Sequence, residues 1–446
     1  MIKKYHLVTL GCQMNKSDSE RIAGLLNSLN YKMTEHPTQA DIIILNTCSV
    51  RQASEDKTFG LIKNWQRYRQ KNKNLIIAVT GCMPGRDEDG IIKRKIKGVD
   101  LWFAIDELPV LPKWLGELNF KIQKDYLSIS PLQKKSAQAF VTIQTGCNNF
   151  CAYCVVPYSR GRERNRSVKD ILKEVKKLAK NGCKEITLLG QVVNHYIAPD
   201  GKKFNLKNPF KTKDDFAALL WELNQIKKIE RINFTASDPQ YFNFAQIKAL
   251  KLSNQLNYLH LPAQSGDNNI LRKMNRKYTR EQYIELIKKI RVAKPDIALG
   301  TDLIVGFCGE TKKQFKNTLD FYKKCDFDIA YTAIYSERSG TAAVKAAKAG
   351  VLDFKDSVSQ IEKKRRWHEL QELMEKITFR KNQKYLNKIV EVMVEKCDKG
   401  ICSGNSREMK LVQFFGQPDL INKIVKVKIT QPDLWLLKGC LTKSSK

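Results

Sequence analysis

The chain has 446 residues, 42% hydrophobic and 28% charged, which is enough for two or three domains with buried cores. No apolar run approaches the roughly 20 residues that cross a bilayer, and twelve cysteines in this length are too sparse for a small disulfide scaffold. The 79 Lys+Arg against 46 Asp+Glu leave a formal net charge of +33, which favours a polyanionic partner, most often nucleic acid, over the plainer alternative of a generally lysine-rich surface.

The first third alternates strand and helix signals. Tyr5 to Leu10, Asp41 to Asn46, Leu75 to Thr80 and Leu101 to Ile105 read as short buried strands, with helical patterns at Ser19 to Asn30 and Ser54 to Lys71 between them. That alternation predicts an open parallel α/β sheet. Lys3 and Lys4 ahead of the apolar stretch ending at Gly11-Cys12 imitate a lipoprotein signal. The stretch is too short and contains His6 and Thr9, so it reads as a strand of a mature cytoplasmic protein. Gln123 to Gln138, with Pro131 and a Ser/Lys/Gln cluster, reads as a linker.

A second α/β series follows. Its strands are Ala139 to Gln144, Glu185 to Leu189, Arg231 to Thr235, Tyr258 to Leu261, Ala298 to Val305 and Asp328 to Tyr335. The clearest helix is Ser167 to Asn181, with Ser167 and Asp170 placed for a capping box and Gly182 ending it. Six such units predict a partial (β/α)6 barrel. Asp356 to Tyr385 reads as one long basic helix. Beyond Asn387 the period changes to two at Val390, Val392 and Val394 and again at Val425, Val427 and Ile429, with a turn at Asp398 to Gly400. A small C-terminal β-barrel is expected there.

Two sets of cysteines carry the chemistry. Cys147, Cys151 and Cys154 supply three thiols from one loop after a strand, as iron–sulfur ligation requires. Three ligands leave one iron of a four-iron cube open, whereas a structural zinc site wants a fourth ligand and the nearest other cysteine is Cys183. Cys12, Cys48 and Cys82 are far apart in sequence, but each follows a predicted strand. The carboxyl ends of parallel strands share one edge, so these three can converge on a second cluster; buried structural cysteines are the alternative.

The run Gly-Cys-Asn-Asn-Phe-Cys-Ala-Tyr-Cys resembles the signature of the radical S-adenosylmethionine (SAM) superfamily. The Gly11 to Asn15, Asn46 to Arg51, Gly146 to Arg166, Leu188 to Gln191, His260 to Gly266, Met274 to Arg276 and Thr301 to Phe307 segments together resemble the methylthiotransferase family over nearly the whole chain. The resemblance implies an N-terminal methylthiotransferase domain over 1–122, a radical SAM core over 136–370 and an OB-like TRAM barrel over 378–442. It also implies two 4Fe-4S clusters and S-adenosyl-L-methionine. The Asn148-Asn149-Phe150 insertion is similar to the branch that methylthiolates N6-(dimethylallyl)adenosine at position 37, next to the tRNA anticodon. Sister branches act on threonylcarbamoyl-adenosine or on a ribosomal-protein aspartate, and a tRNA-binding protein with structural clusters is a reading of another class. Implied partners are a tRNA anticodon stem-loop, a flavodoxin- or ferredoxin-like one-electron reductant and a sulfur source, with the chain acting as a monomer. Cys308-Gly309, Met83-Pro84-Gly85 and the proline-free Tyr335 to Thr341 depart from the family's pattern without removing a ligand.

By placement at barrel loops, Gln191, Asn194, Gln264, Ser265 and Asp302 are candidate cofactor contacts, each equally able to be a satisfied loop polar group. Arg160, Arg162, Arg164 and Arg166 alternate just past the cluster loop and suit a cofactor carboxylate or RNA phosphate, or a solvated basic loop. Arg160 is assigned to the cofactor, and Arg162 and Arg164 to RNA. Lys364, Arg365 and Arg366 of the basic helix, with Lys426 and Lys428, complete the expected RNA surface. Cys183, Cys308, Cys325, Cys397, Cys402 and Cys440 are left structural or incidental.

Overall fold

A computed structural model describes residues 2–49, 52–117, 120, 123–133, 135–201 and 203–442. Val50 and Arg51 of the second cysteine motif, and the expected domain boundary at 122, lie outside the described residues.

The N-terminal sheet is wholly parallel. Its spatial order is Lys32–Met33, Lys4–Thr9, Ile42–Thr47, Ile76–Gly81 and Leu101–Trp102. The central strand Ile42–Thr47 is buried at every position, which is why it is an unbroken apolar run. Its side chains still alternate: Ile42 and Ile44 pack with Ile22, Leu25 and Leu26 on one face, while Ile43 and Leu45 pack with Ile62 and Trp65 on the other. Three expectations need correction here. The first helix starts at Gln13, not Ser19, because its first turns hide polar residues, Asn15, Ser17 and Asp18, at an interface. The last strand ends at Trp102 and gives way to a 3₁₀ turn, Ile105–Val110, that runs into a second proline at 112. The supposed linker is partly core: Tyr126 is fully buried, Leu127 and Ile129 join the N-terminal cluster, and their carbonyls accept from buried Arg21.

Six parallel strands form the second domain as two three-stranded sheets. One pairs Gln138–Thr142, Glu185–Leu189 and Arg231–Phe234; the other pairs Tyr258–His260, Ala298–Val305 and Ile329–Ile334. Ile232 joins them, donating to Asn254 O at 2.6 Å and accepting from Leu256 N at 2.9 Å. The wall is thus an open barrel. The N-terminal domain covers its first strand, with Ser17 Oγ 2.9 Å from Thr142 Oγ1. The expected helix forms over Val168–Lys180, and Ser167 accepts from the Asp170 amide as its cap.

The long helix Gln360–Gln383 leads to a closed five-stranded barrel, with Ile389–Asp398, Ile401–Ser406, Leu411–Phe415, Leu437–Leu441 and Ile424–Pro432 in spatial order. Its 406–411 turn plugs the amino-terminal end of the open barrel. Arg231 donates to Asn405 O and Ser406 O, Asn257 N donates to Arg407 O at 2.8 Å, and Lys410 pairs with Asp328. Cys397 and Cys402, left structural or incidental from the sequence, are opposed across the first hairpin and form a disulfide. Among the described residues no helix is long and apolar enough to cross a membrane.

Candidate functional site: two cysteine clusters

The loop carrying Cys147, Cys151 and Cys154 leaves the first barrel strand through Gly146 at φ +73°, where an added Cβ would lie 2.0 Å from Arg162 O. Only glycine fits there. The loop is held from across the barrel: Ala152 N donates to Met274 O at 3.0 Å, and Asn275 Nδ2 donates to Asn149 O and Phe150 O. Arg276 Nη1 lies 3.4 Å from Cys151 Sγ and 2.9 Å from an Asp238 oxygen. The Met274-Asn275-Arg276 motif is therefore a brace for the cysteine loop. Arg276 itself is a site residue with no role legible from the Met274-Asn275-Arg276 segment alone. Burial pushes the Cys147 thiol up to about 11 and the Cys154 thiol to about 12, so a metal must displace their protons to bind.

The second triad forms as the strand register dictates. Thr9 aligns with Asn46 and Thr47 with Gly81, so Cys12, Cys48 and Cys82 come off one edge of the sheet. Gly11 (φ +121°) and Gly81 (φ +96°) make the turns; a Cβ on Gly11 would sit 2.6 Å from Cys48 Cβ. Asn15 locks the edge, donating to Asn46 Oδ1 and Thr47 O while accepting from the Cys12 thiol at 3.2 Å. Cys48 and Cys82 are buried, and Cys12 is accessible. Although part of the Cys12 side chain reaches solvent, the packing around it raises its thiol pKa, and the nearby Arg160 guanidinium opposes that.

Both triads suit iron–sulfur clusters. Among the described residues no three Cys, His, Asp or Glu side chains converge tightly enough for a single metal ion. A four-iron cube takes thiolates on separate corners, which is a wider arrangement. The N-terminal triad also has an orphan donor beside it. Arg160 is fully buried, its Nη2 lies 2.6 Å from Asp18 Oδ2, and its Nη1 has no hydrogen-bond partner among the described residues.

The triads open onto one interface. The turn Cys82–Gly85 packs on the helix Val156–Arg160 so closely that a Cβ on Gly85 would lie 2.2 Å from Ser159 O. This accounts for the glycine in the departing Met83-Pro84-Gly85 segment. Arg86 continues the seam, donating to Glu55 at 2.6 Å, to Ser49 Oγ and to the backbone of Ser339 on the barrel. Inside the open barrel lies a cavity of about 510 Å³, bounded by Gln13 beside Cys12, by Tyr258, His260 and Tyr331, and by the plugging turn.

The other expected site residues divide. Gln191 and Gln264 keep side-chain amides with no hydrogen-bond partner among the described residues, and Gln264 has φ +67°. Asp302 pairs with His260 at 3.1 Å and stays partly exposed. The Asn194 side chain is instead spent on the backbone of Asp238 and the side chain of Gln246, and Ser265 on Thr318 and the Asp267 amide. Arg160 pairs with Asp18 of the N-terminal domain through Nη2. Arg164 pairs with Asp106 and Asp125, and Arg166 with Glu174, so both are drawn into ion pairs. Arg366 is buried against Glu310 and Glu362, so its guanidinium is not presented at the surface. Arg365 is exposed but paired with Glu362 and Glu369. Arg162, stacked on Phe150 at 4.9 Å, and Lys364, Lys426 and Lys428 remain exposed.

Residues 141–322 match the Radical SAM superfamily, and residues 4–104 match the Uncharacterized protein family UPF0004. The chain is 42% identical over 450 residues to the tRNA-2-methylthio-N(6)-dimethylallyladenosine synthase of Thermoanaerobacter sp. (strain X514), covering 98% of this chain and 92% of that protein. It is 43% identical to the synthase of the same name from Clostridium tetani (strain Massachusetts / E88), covering 98% and 95%. The fold is similar to that of the radical S-adenosylmethionine methyltransferase TsrM from Kitasatospora setae, with a TM-score of 0.55 and 11% identity over 90% of this chain and 77% of that one. Two cysteine triads on a parallel sheet and an open barrel, together with near-complete alignment to these synthases, place the chain in the radical SAM methylthiotransferase family, among the tRNA-2-methylthio-N(6)-dimethylallyladenosine synthases.

Proposed function

We propose that the chain converts N6-(dimethylallyl)adenosine at position 37 of tRNA, next to the anticodon, into its 2-methylthio derivative. The observation that carries this is the pair of three-cysteine sites meeting across one seam, with a cavity between the barrel wall and Gln13. The C2–H of adenine is not acidic, so no side chain near pH 7 removes its proton. Two 4Fe-4S clusters and S-adenosyl-L-methionine, when bound, supply one-electron reduction, hydrogen-atom abstraction and the methylthio group.

The chain's residues bind and orient. Cys147, Cys151 and Cys154 hold one cluster, with the free amides of Gln191 and Gln264 and the partly exposed Asp302 available to the cofactor. Cys12, Cys48 and Cys82 hold the other, beside Arg160, whose Nη1 has no partner among the described residues. Arg162, Lys364, Lys426 and Lys428 meet phosphates of the anticodon stem-loop, which gives affinity without reading sequence. A protein reductant and a sulfur source complete the reaction, and the chain works as a cytoplasmic monomer.

The test is anaerobic turnover of reconstituted protein with S-adenosylmethionine, reductant and sulfide, offered isopentenylated and threonylcarbamoylated stem-loops together. A methylthio mass shift on the isopentenyl base alone is expected. A shift only on the other base moves the activity to the sister branch. Cys151→Ala should abolish turnover and keep tRNA binding; normal turnover in that variant sinks the radical mechanism.

A further inference from the structure

On the outer wall of the open barrel, the helices Phe244–Ala249 and Arg280–Ala293 leave a groove of about 1190 Å³ between them. Its floor is apolar, and it exposes two large hydrophobic side chains, Phe244 at 70% and Val292 at 84%. Five lysines rim it, Lys248, Lys251, Lys277, Lys288 and Lys289, against Glu281 and Glu285. Its upper end reaches Pro239 and Tyr278. Tyr278 Oη accepts from Arg276 Nε at 3.0 Å, and Arg276 Nη1 lies 3.4 Å from Cys151 Sγ. The groove is thus two side chains from a ligand of the radical cluster.

We infer that this groove docks a small acidic one-electron carrier protein, with the Tyr278–Arg276 contact as the short link to Cys151. The inference rests on the proposed radical reaction, in which the carrier is oxidised by one electron and the barrel cluster reduced by one. Charge complementarity selects an acidic partner. The apolar floor and the two exposed hydrophobics select a protein over RNA, because a phosphate backbone gains nothing from burying Phe244 and Val292. The groove also contains no arginine, the residue suited to bidentate phosphate contacts.

The experiment compares holoenzyme with Lys288→Glu/Lys289→Glu and, separately, Val292→Glu. Binding of oxidised flavodoxin and ferredoxin is titrated, tRNA binding is measured in parallel, and turnover is driven either by the reduced carrier or by dithionite. Both variants should bind the carrier about tenfold more weakly at low salt and lose carrier-driven turnover in proportion. Dithionite-driven turnover and tRNA affinity should stay at the parent level. Unchanged carrier binding, or a parent chain that accepts electrons from neither carrier, overturns the inference. Loss of tRNA affinity in these variants overturns it in favour of an RNA surface. Failure of the parent with dithionite is the separate signature of a wrong reaction assignment.

Discussion

Arg160 Nη2 lies 2.6 Å from Asp18 Oδ2, and the two side chains are 2% and 1% exposed. Asp18 belongs to the first helix of the N-terminal domain, and Arg160 ends the short helix after the barrel cysteines. Burial works against the guanidinium charge, but Asp18 and the Cys82 thiol outweigh it and hold the Arg160 pKa above its ordinary value. The pair therefore fastens the two cysteine-bearing domains together, and among the described residues Arg160 Nη1 has no hydrogen-bond partner.

Asp18→Asn should destabilise the protein by about 3–5 kcal/mol, because it leaves a buried guanidinium without its counter-charge. Asp18→Leu combined with Arg160→Met should recover most of that loss in urea denaturation. The double variant should still cleave S-adenosylmethionine, since the barrel cysteines are intact, while methylthiolated product falls at least tenfold. Equal loss of cleavage and product would mean that the pair serves the barrel alone.

The Gly85–Ser159 approach gives a second test. Gly85→Ala places a methyl 2.2 Å from a backbone carbonyl, which cannot rotate away. The turn after Cys82 and the helix after Cys154 must separate, at a cost of about 1–3 kcal/mol as for other overpacked contacts. Thermal melting should show the loss, and iron content should fall towards one cluster per chain if the shift carries Cys82 out of register. Full iron loading with unchanged melting would show that the seam is plastic.

Much of this arrangement was legible in the sequence. Glu185–Leu189 and Ala298–Val305 form over the residues expected of them, because most of each strand is buried and its pattern is continuous. The Ser167 cap and the two Gly-Cys turns are local chemistry, and local chemistry survives folding. The arginines after Cys154 were not legible. Their alternation suggested an anion-binding strip, but Asp18, Asp106, Asp125 and Glu174 convert three of the four into ion pairs. Three of those acids lie in the N-terminal third, and no window of sequence brings them together. The segment around Tyr126 was hidden for a related reason. Its polar composition reads as linker, yet Tyr126, Leu127 and Ile129 alone are enough to strap it to the N-terminal core.

The basic residues of the C-terminal third should separate by what they touch. Lys426→Glu/Lys428→Glu alters two exposed side chains on one strand of the closed barrel and should leave stability within about 0.5 kcal/mol. It should weaken tRNA binding across sequences and reduce the salt dependence of the affinity, as lost phosphate contacts do. Arg366→Ala should do the reverse. It strips Glu310 of its buried partner, so unfolding becomes easier by about 3–5 kcal/mol while the folded fraction binds tRNA normally. Filter binding over a salt series, beside urea denaturation, distinguishes the two.

Glu20 makes stability fall as pH rises. Burial first, and the Glu174 carboxylate second, push its pKa up to about 7, and one of its oxygens is buried without a partner among the described residues. An unfolded glutamate releases its proton near 4.3, so between about pH 4.3 and 7 the folded chain holds a proton that the unfolded chain has lost. The stabilisation from that retained proton is complete below the unfolded value and disappears as pH rises through the folded one. Above pH 7 the native state carries a charged carboxylate facing Glu174. Glu20→Gln keeps the neutral form at every pH, and its amide can donate towards Glu174. The variant should match its parent near pH 4.5 and exceed it by on the order of 2 kcal/mol at pH 8. Urea denaturation at half-unit pH steps reads the difference directly. Parallel curves for the two proteins from pH 5 to 8 would show that Glu20 is ionised throughout, and that the Glu20–Glu174 contact is relieved by Arg21 and Arg166 on the same seam.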